Sequence, residues 1–117
     1  MDWKREAADK LRLLEDRRKA LSGMSMELGE MSGVTLNDRA LRRELELRRE
    51  EIAVWVALVE GALDGLDEEE RLILDRFYIR PVRDRVDWLC QELGCEQAAV
   101  YRRKDKALRH FATVLYG

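Results

Sequence analysis

Apolar residues recur every seven positions through the first quarter of the chain. The repeating positions and their apolar neighbours are Ala7, Leu14, Leu21 and Leu28, with Trp3, Leu11, Met24 and Met31. An α-helix turns through about 700° in seven residues, so residues seven apart lie on nearly the same side. The spacing therefore predicts a helix from Asp2 to about Leu28 that carries one apolar stripe.

The same spacing returns after a short interruption. Its positions are Leu45, Ile52, Val59 and Leu66. They predict a second helix from about Asp38 to Leu63, after a turn at Gly33, with Asn37 or Asp38 as its cap. Two striped helices joined by a short turn predict an antiparallel hairpin. The stripes either hold the two helices to each other or also join two copies of the protein, and the sequence leaves both interpretations open.

An acidic run marks the start of a third helix. Asp67 is a suitable N-cap, and the glutamates that follow it lie where the helix dipole favours negative charge. We expect this helix to run from Asp67 to about Tyr78. It should end before Arg80 and Pro81, because proline disfavours a helical residue ahead of it. The basic segment Arg80–Arg85 then forms an irregular link.

The segment Val86–Phe111 has the outline of a helix-turn-helix: a short helix, a glycine turn and a longer basic helix. Gly94 can adopt the left-handed backbone that such a turn needs, and Cys90 is a small residue where the helices would cross. The expected buried contacts are Leu89, Leu93, Val100, Ala107 and Leu108. The alternative is an ordinary helical hairpin whose arginines form a solvated face.

These elements predict an all-α protein in two parts. Residues 1–65 would form an antiparallel helical hairpin for self-association or partner binding, and residues 66–117 a three-helix helix-turn-helix domain. A charged fraction of 39% and a single proline agree with a helix-rich chain. Apolar runs are too short for a bilayer and the start of the chain is charged, so we expect a cytoplasmic protein with no membrane contact.

Charge is divided unevenly along the chain. The net charge of −2 alone argues against a polyanionic partner. However, residues 1–70 hold 12 Lys/Arg against 18 Asp/Glu, whereas residues 71–117 hold 10 against 6. Within the stretch Gln97–His110 five cations face only Asp105. Double-stranded DNA would therefore meet the C-terminal part of the protein.

The order of these elements resembles region four of sigma-70-like factors. The matching positions are Glu70–Leu74, Tyr78, Leu93-Gly94, Val100-Tyr101-Arg102 and Ala107-Leu108. More closely, the chain is similar to phage-encoded sigma-like regulators of the ArpU and RinA type, although residues 1–64 share only layout and composition with them. The resemblance implies activation of late or packaging genes in phages and prophages of Gram-positive bacteria. Cys90 and Glu96 depart from the usual alanine and the usual capping serine.

A helix-turn-helix places the first turns of its second helix against base edges in the major groove. The candidate base contacts are Gln97, Tyr101 and Arg102. The candidate phosphate contacts are Arg83, Arg85, Arg103, Lys104 and Lys106. Two alternatives remain open: Tyr101 packs against Trp88 instead, and the arginines of the link are merely solvated.

No catalytic constellation, cofactor motif or metal pattern is present in the sequence, so an enzyme is not expected. Cys90 and Cys95 are interpreted as reduced packing residues. The leading hypothesis is a sequence-specific DNA-binding transcription regulator, with RNA polymerase and a second copy through the hairpin as further candidate partners. Its rivals are a small terminase subunit of a phage packaging motor and a helical adaptor that does not bind DNA.

Overall fold

Helices make up almost all of the protein in the computed structural model, which describes residues 2–30 and 36–117. The five α-helices are α1 (Trp3–Glu30), α2 (Leu36–Asp64), α3 (Glu68–Leu74), α4 (Arg85–Leu93) and α5 (Gln97–Tyr116), and a π-helical turn (Asp75–Ile79) extends α3. No strand occurs in these two ranges. The predicted all-α class is confirmed.

The helices α1 and α2 lie side by side and run in opposite directions. Arg18 Nε donates to Glu60 Oε1 at 2.7 Å, and Arg49 Nε donates to Ser25 Oγ at 2.8 Å. Residue numbers therefore rise along α1 as they fall along α2. The turn predicted between the two helices lies largely outside the described residues. Since α2 begins at Leu36, the caps predicted at Asn37 and Asp38 are wrong: both residues lie inside the first turn of α2.

The buried apolar side chains of the described ranges form one cluster that draws on both ends of the chain. Leu11 and Leu14 of α1 are fully buried together with Ile73, Leu74 and Phe111. By contrast, residues 15–30 of α1 and 38–55 of α2 contain no buried side chain. We call this pair of segments the distal arm. The core is thus built where the first half of α1 meets the C-terminal helices.

A capping box starts α3 at the predicted residue. Asp67 Oδ1 accepts from the Glu70 backbone N–H at 2.8 Å, and Glu70 Oε1 accepts from the Asp67 backbone N–H at 3.2 Å. The buried Glu70 carboxylate also lies 2.9 Å from His110 Nδ1 and so ties α3 to α5. The π-helical turn ends at Ile79, before Pro81, which is where proline was expected to stop the helix.

The left-handed turn predicted at Gly94 is present between α4 and α5. Gly94 has φ 65° and ψ 39°, and the N–H of the next residue, Cys95, donates to the Cys90 carbonyl at 3.1 Å. Among the expected contacts, Leu89, Val100, Ala107 and Leu108 are buried. Leu93, at the last turn of α4, is only partly buried but packs against the same core.

Candidate nucleic-acid interface

The helix α5 begins at Gln97 without help from a side-chain cap. Its N-cap, Glu96, has extended backbone angles and its carboxylate makes no capping hydrogen bond. This agrees with the weak cap expected from glutamate at that position. The amide groups of the first turn of α5 are therefore not occupied by the Glu96 side chain.

Cations dominate the side of α5 that points away from the core. Arg102, Lys106 and Arg109 are exposed and follow one another at spacings of four and three residues. Within the parts of the chain that the structure describes, none of the three has a carboxylate partner. The exposed Asp105 is the one acidic residue of α5, and Lys104 Nζ lies 3.7 Å from it. We call Arg102, Lys106 and Arg109 the outward face.

The three residues predicted to contact bases do not share one surface. Gln97 and Tyr101 line a cleft of about 470 Å³ between α5, the start of α4 and the first half of α1. Arg102 lies five residues after Gln97, which places it about 140° around the helix and on the outward face. The structure thus brings Gln97 together with Tyr101 and separates both from Arg102.

Tyr101 packs against a different ring from Trp88, the alternative that the sequence left open. Its ring lies 6.2 Å from that of Phe77 in an edge-on arrangement, and 47% of the residue stays exposed. Trp88, the partner considered from the sequence, instead has the Arg76 guanidinium 4.9 Å from its ring. The ring contact of Tyr101 is therefore with Phe77 of the π-helical turn and not with Trp88, so the alternative of packing on Trp88 is wrong.

The five residues predicted to contact phosphates differ in exposure and in whether a carboxylate already pairs with them. Arg103 Nη1 pairs with Glu69 Oε1 of α3 at 2.8 Å, so part of its charge is already balanced. Lys104 has only 21% of its side chain exposed. Arg83, Arg85 and Lys106 are exposed and have no carboxylate partner in the described ranges.

Three aromatic rings in series form the wall of the cleft. Tyr78 lies 6.0 Å from Phe77, and Phe77 lies 6.2 Å from Tyr101. We call these rings the aromatic row. Burial raises the pKa of Tyr78 above its ordinary value, although the nearby positive charges of Arg12 and Arg85 act in the opposite direction.

A cation from each of three chain segments stands over the aromatic row. Arg12 of α1 lies 5.2 Å from the Tyr78 ring centroid, and Arg85 lies 5.2 Å from that of Phe77. Lys104 lies 5.3 Å from Phe77 and 5.4 Å from Tyr101. Sequence reasoning missed Arg12, since no local pattern in α1 shows that this residue reaches the C-terminal helices.

Other chemistry is sparse in the described ranges. They contain no group of three or more His, Cys, Asp or Glu side chains that could hold a metal ion. Cys90 and Cys95 are free, partly buried thiols. None of the helices in residues 2–30 and 36–117 combines the length and apolar character needed to cross a bilayer.

Comparisons of the chain with models of protein families, with curated proteins and with solved structures find no match.

Proposed function

We propose that the protein is a sequence-specific DNA-binding transcription regulator of the sigma-like, helix-turn-helix kind. The observation that carries this proposal is the outward face of α5, whose three cations are exposed on one side of a helix and make no ion pair in the described ranges. Of the three, Lys106 lines a cleft that Asp67 and Glu69 also line, and Arg109 lies 5.9 Å from the Trp3 ring centroid, so Arg102 is the cation with the fewest neighbours. A helix of this width fits the major groove of B-form DNA, and unpaired cations are what the phosphates and guanine edges attract.

The arrangement of α4 and α5 supports the same proposal. The left-handed Gly94 turn joins a nine-residue helix to a twenty-residue helix, and the buried Leu89 and Val100 hold the two against the core. In the proposed architecture residues 1–65 form the helical hairpin and residues 66–117 the DNA-binding domain. RNA polymerase is the further partner that the resemblance to sigma region four implies.

The test separates base reading from phosphate contact on the outward face. A preferred site is first selected by the parent protein from a random pool of duplexes. Arg102→Ala should then cost roughly 1–3 kcal/mol on that site and relax the preference at one base pair. Lys106→Ala, one turn further along the same face, should weaken binding to selected and scrambled DNA alike. It should also reduce the salt slope of binding by about 0.9.

Two results would count against the proposal. Equal losses on selected and scrambled DNA for Arg102→Ala would show that this residue does not read a base. Failure of the parent protein to bind any duplex at low salt would reject DNA binding altogether and would favour a helical adaptor. Circular dichroism of each variant serves as the folding control.

A further inference from the structure

We infer that the three cations over the aromatic row form a binding site for the phosphodiester backbone of a DNA strand, and that α1 is part of the DNA interface through Arg12. This inference rests on the proposed function, since the phosphates belong to the duplex that α5 would read. It adds a contact from the N-terminal part of the chain, far in sequence from the helix-turn-helix.

The way in which the cations are held supports an anionic ligand. A cation over an aromatic face is held in place by the ring quadrupole, yet its charge is not neutralised as it would be by a carboxylate. Arg85 has no carboxylate partner in the described ranges. The rings thus fix the positions of Arg12, Arg85 and Lys104 before any ligand arrives, which lowers the entropic cost of binding.

Four carboxylates lie near these cations. Arg12 Nη1 also pairs with Asp9 at 2.9 Å, but both side chains are more than half exposed, where an ion pair is weak. Lys104 Nζ lies 3.7 Å from Asp105. Asp84 and Asp87 line the cleft as well, near the start of α4. A phosphate would therefore bind on the part of the cleft where Arg12, Arg85 and Lys104 stand over the rings, and Asp84 and Asp87 would limit how far it extends along α4.

The cleft also lies beside the start of α5. Gln97, its first residue, is part of the cleft wall, and so are Tyr101 and Lys104. If the bases of a DNA strand faced the first turns of α5, the sugar-phosphate backbone of that strand would run past this cleft. In this arrangement Gln97 would face the protein cleft that holds the DNA backbone, and Arg102 would face the major groove of the DNA. This would explain why the two residues lie on different sides of α5.

The experiment compares two arginines of α1 that both stand over aromatic rings. Arg12→Ala removes a cation from the aromatic row, whereas Arg17→Ala removes one that lies 5.3 Å from the Trp55 ring, away from the cleft. Arg12→Ala should weaken binding of the full chain to selected and scrambled duplexes alike by about tenfold. It should also lower the salt slope by about 0.9, while Arg17→Ala changes neither.

Arg12→Lys keeps the positive charge and should restore most of the lost affinity, which a purely structural role of Arg12 would not produce. If the parent protein binds DNA but Arg12→Ala matches it in affinity and salt slope, the inference is wrong and the proposed function stands. If the parent protein does not bind DNA, both are rejected.

Discussion

Tyr78 is a buried phenol that lies under Arg12 of α1. Only 9% of it is exposed, and burial is the main reason that its pKa lies above the ordinary value of 10.0. The Asp105 carboxylate raises the pKa further, while Arg12 and Arg85 lower it. The folded state therefore holds the phenolic proton more tightly than the unfolded chain does.

This shift predicts a loss of stability at alkaline pH. The contribution of Tyr78 is fully present below a pH of about 10, the pKa in the unfolded chain, and is lost as pH rises toward the folded pKa. Urea unfolding measured from about pH 8 to about pH 11 should show a steeper decline for the parent than for Tyr78→Phe. Parallel declines in the two proteins would show that the phenol ionises without penalty in the folded state.

The sequence does not show which cations of α5 are already paired with a carboxylate. Arg103 and Lys106 look alike in the basic run of α5, but Arg103 pairs with Glu69 at 2.8 Å, whereas Lys106 lines the same cleft and makes no ion pair in the described ranges. The difference depends on α3 packing against α5. We therefore expect Lys106 to contribute more to the salt dependence of DNA binding than Arg103 does.

The turn between α4 and α5 depends on a glycine, Gly94. Gly94 adopts a left-handed conformation, and an added Cβ would meet no atom within 4 Å. A substitution there is therefore opposed by backbone strain and not by a clash. The turn sets the angle at which α5 leaves α4, so the strain falls on the proposed DNA-binding element.

Gly94→Ala should lower the free energy of unfolding by about 1–2 kcal/mol, because alanine pays the left-handed penalty in full. Gly94→Asn should cost less, since asparagine tolerates this conformation better than alanine does. Chemical denaturation of the three proteins gives the comparison. Equal losses for alanine and asparagine would mean that something other than the backbone angle limits this position.

Across the whole molecule, α1 belongs to the core of the C-terminal helices as much as to its pairing with α2. Leu11 and Leu14 are fully buried in the cluster that contains Ile73 and Phe111. Lys10 Nζ also donates to the Tyr116 hydroxyl at 2.8 Å, near the end of α5. The C-terminal helices thus share one core with the start of the chain.

Two neighbouring leucines of α1 test this arrangement. Leu14→Ala should destabilise the protein by about 2–5 kcal/mol, because it leaves a cavity in a closed core. Leu13→Ala, at a position that is 41% exposed, should change stability by less than about 0.5 kcal/mol. Hydrogen exchange at amides of α5 should quicken in the first variant and not in the second. If α5 keeps its protection in Leu14→Ala, the two parts of the chain do not share a core.

Local chemistry in the sequence was enough to determine the helices and where several of them end. The Asp67 cap, the stop before Pro81 and the left-handed Gly94 each depend on a residue and its immediate neighbours, so all three could be predicted. The start of α2 could not be predicted in this way, because Asn37 and Asp38 are both good caps but the helix begins before them.

Contacts between distant segments were decided only by the tertiary structure. Seven-residue spacing shows that α1 has an apolar side, but it does not show that Leu11 and Leu14 fill the core of the C-terminal helices. Nor does it show that Arg12 stands over Tyr78, or that the ring of Tyr101 packs against Phe77 and not against Trp88. Periodicity records which side of a helix avoids water, whereas the partner of that side depends on how all the helices fill one volume.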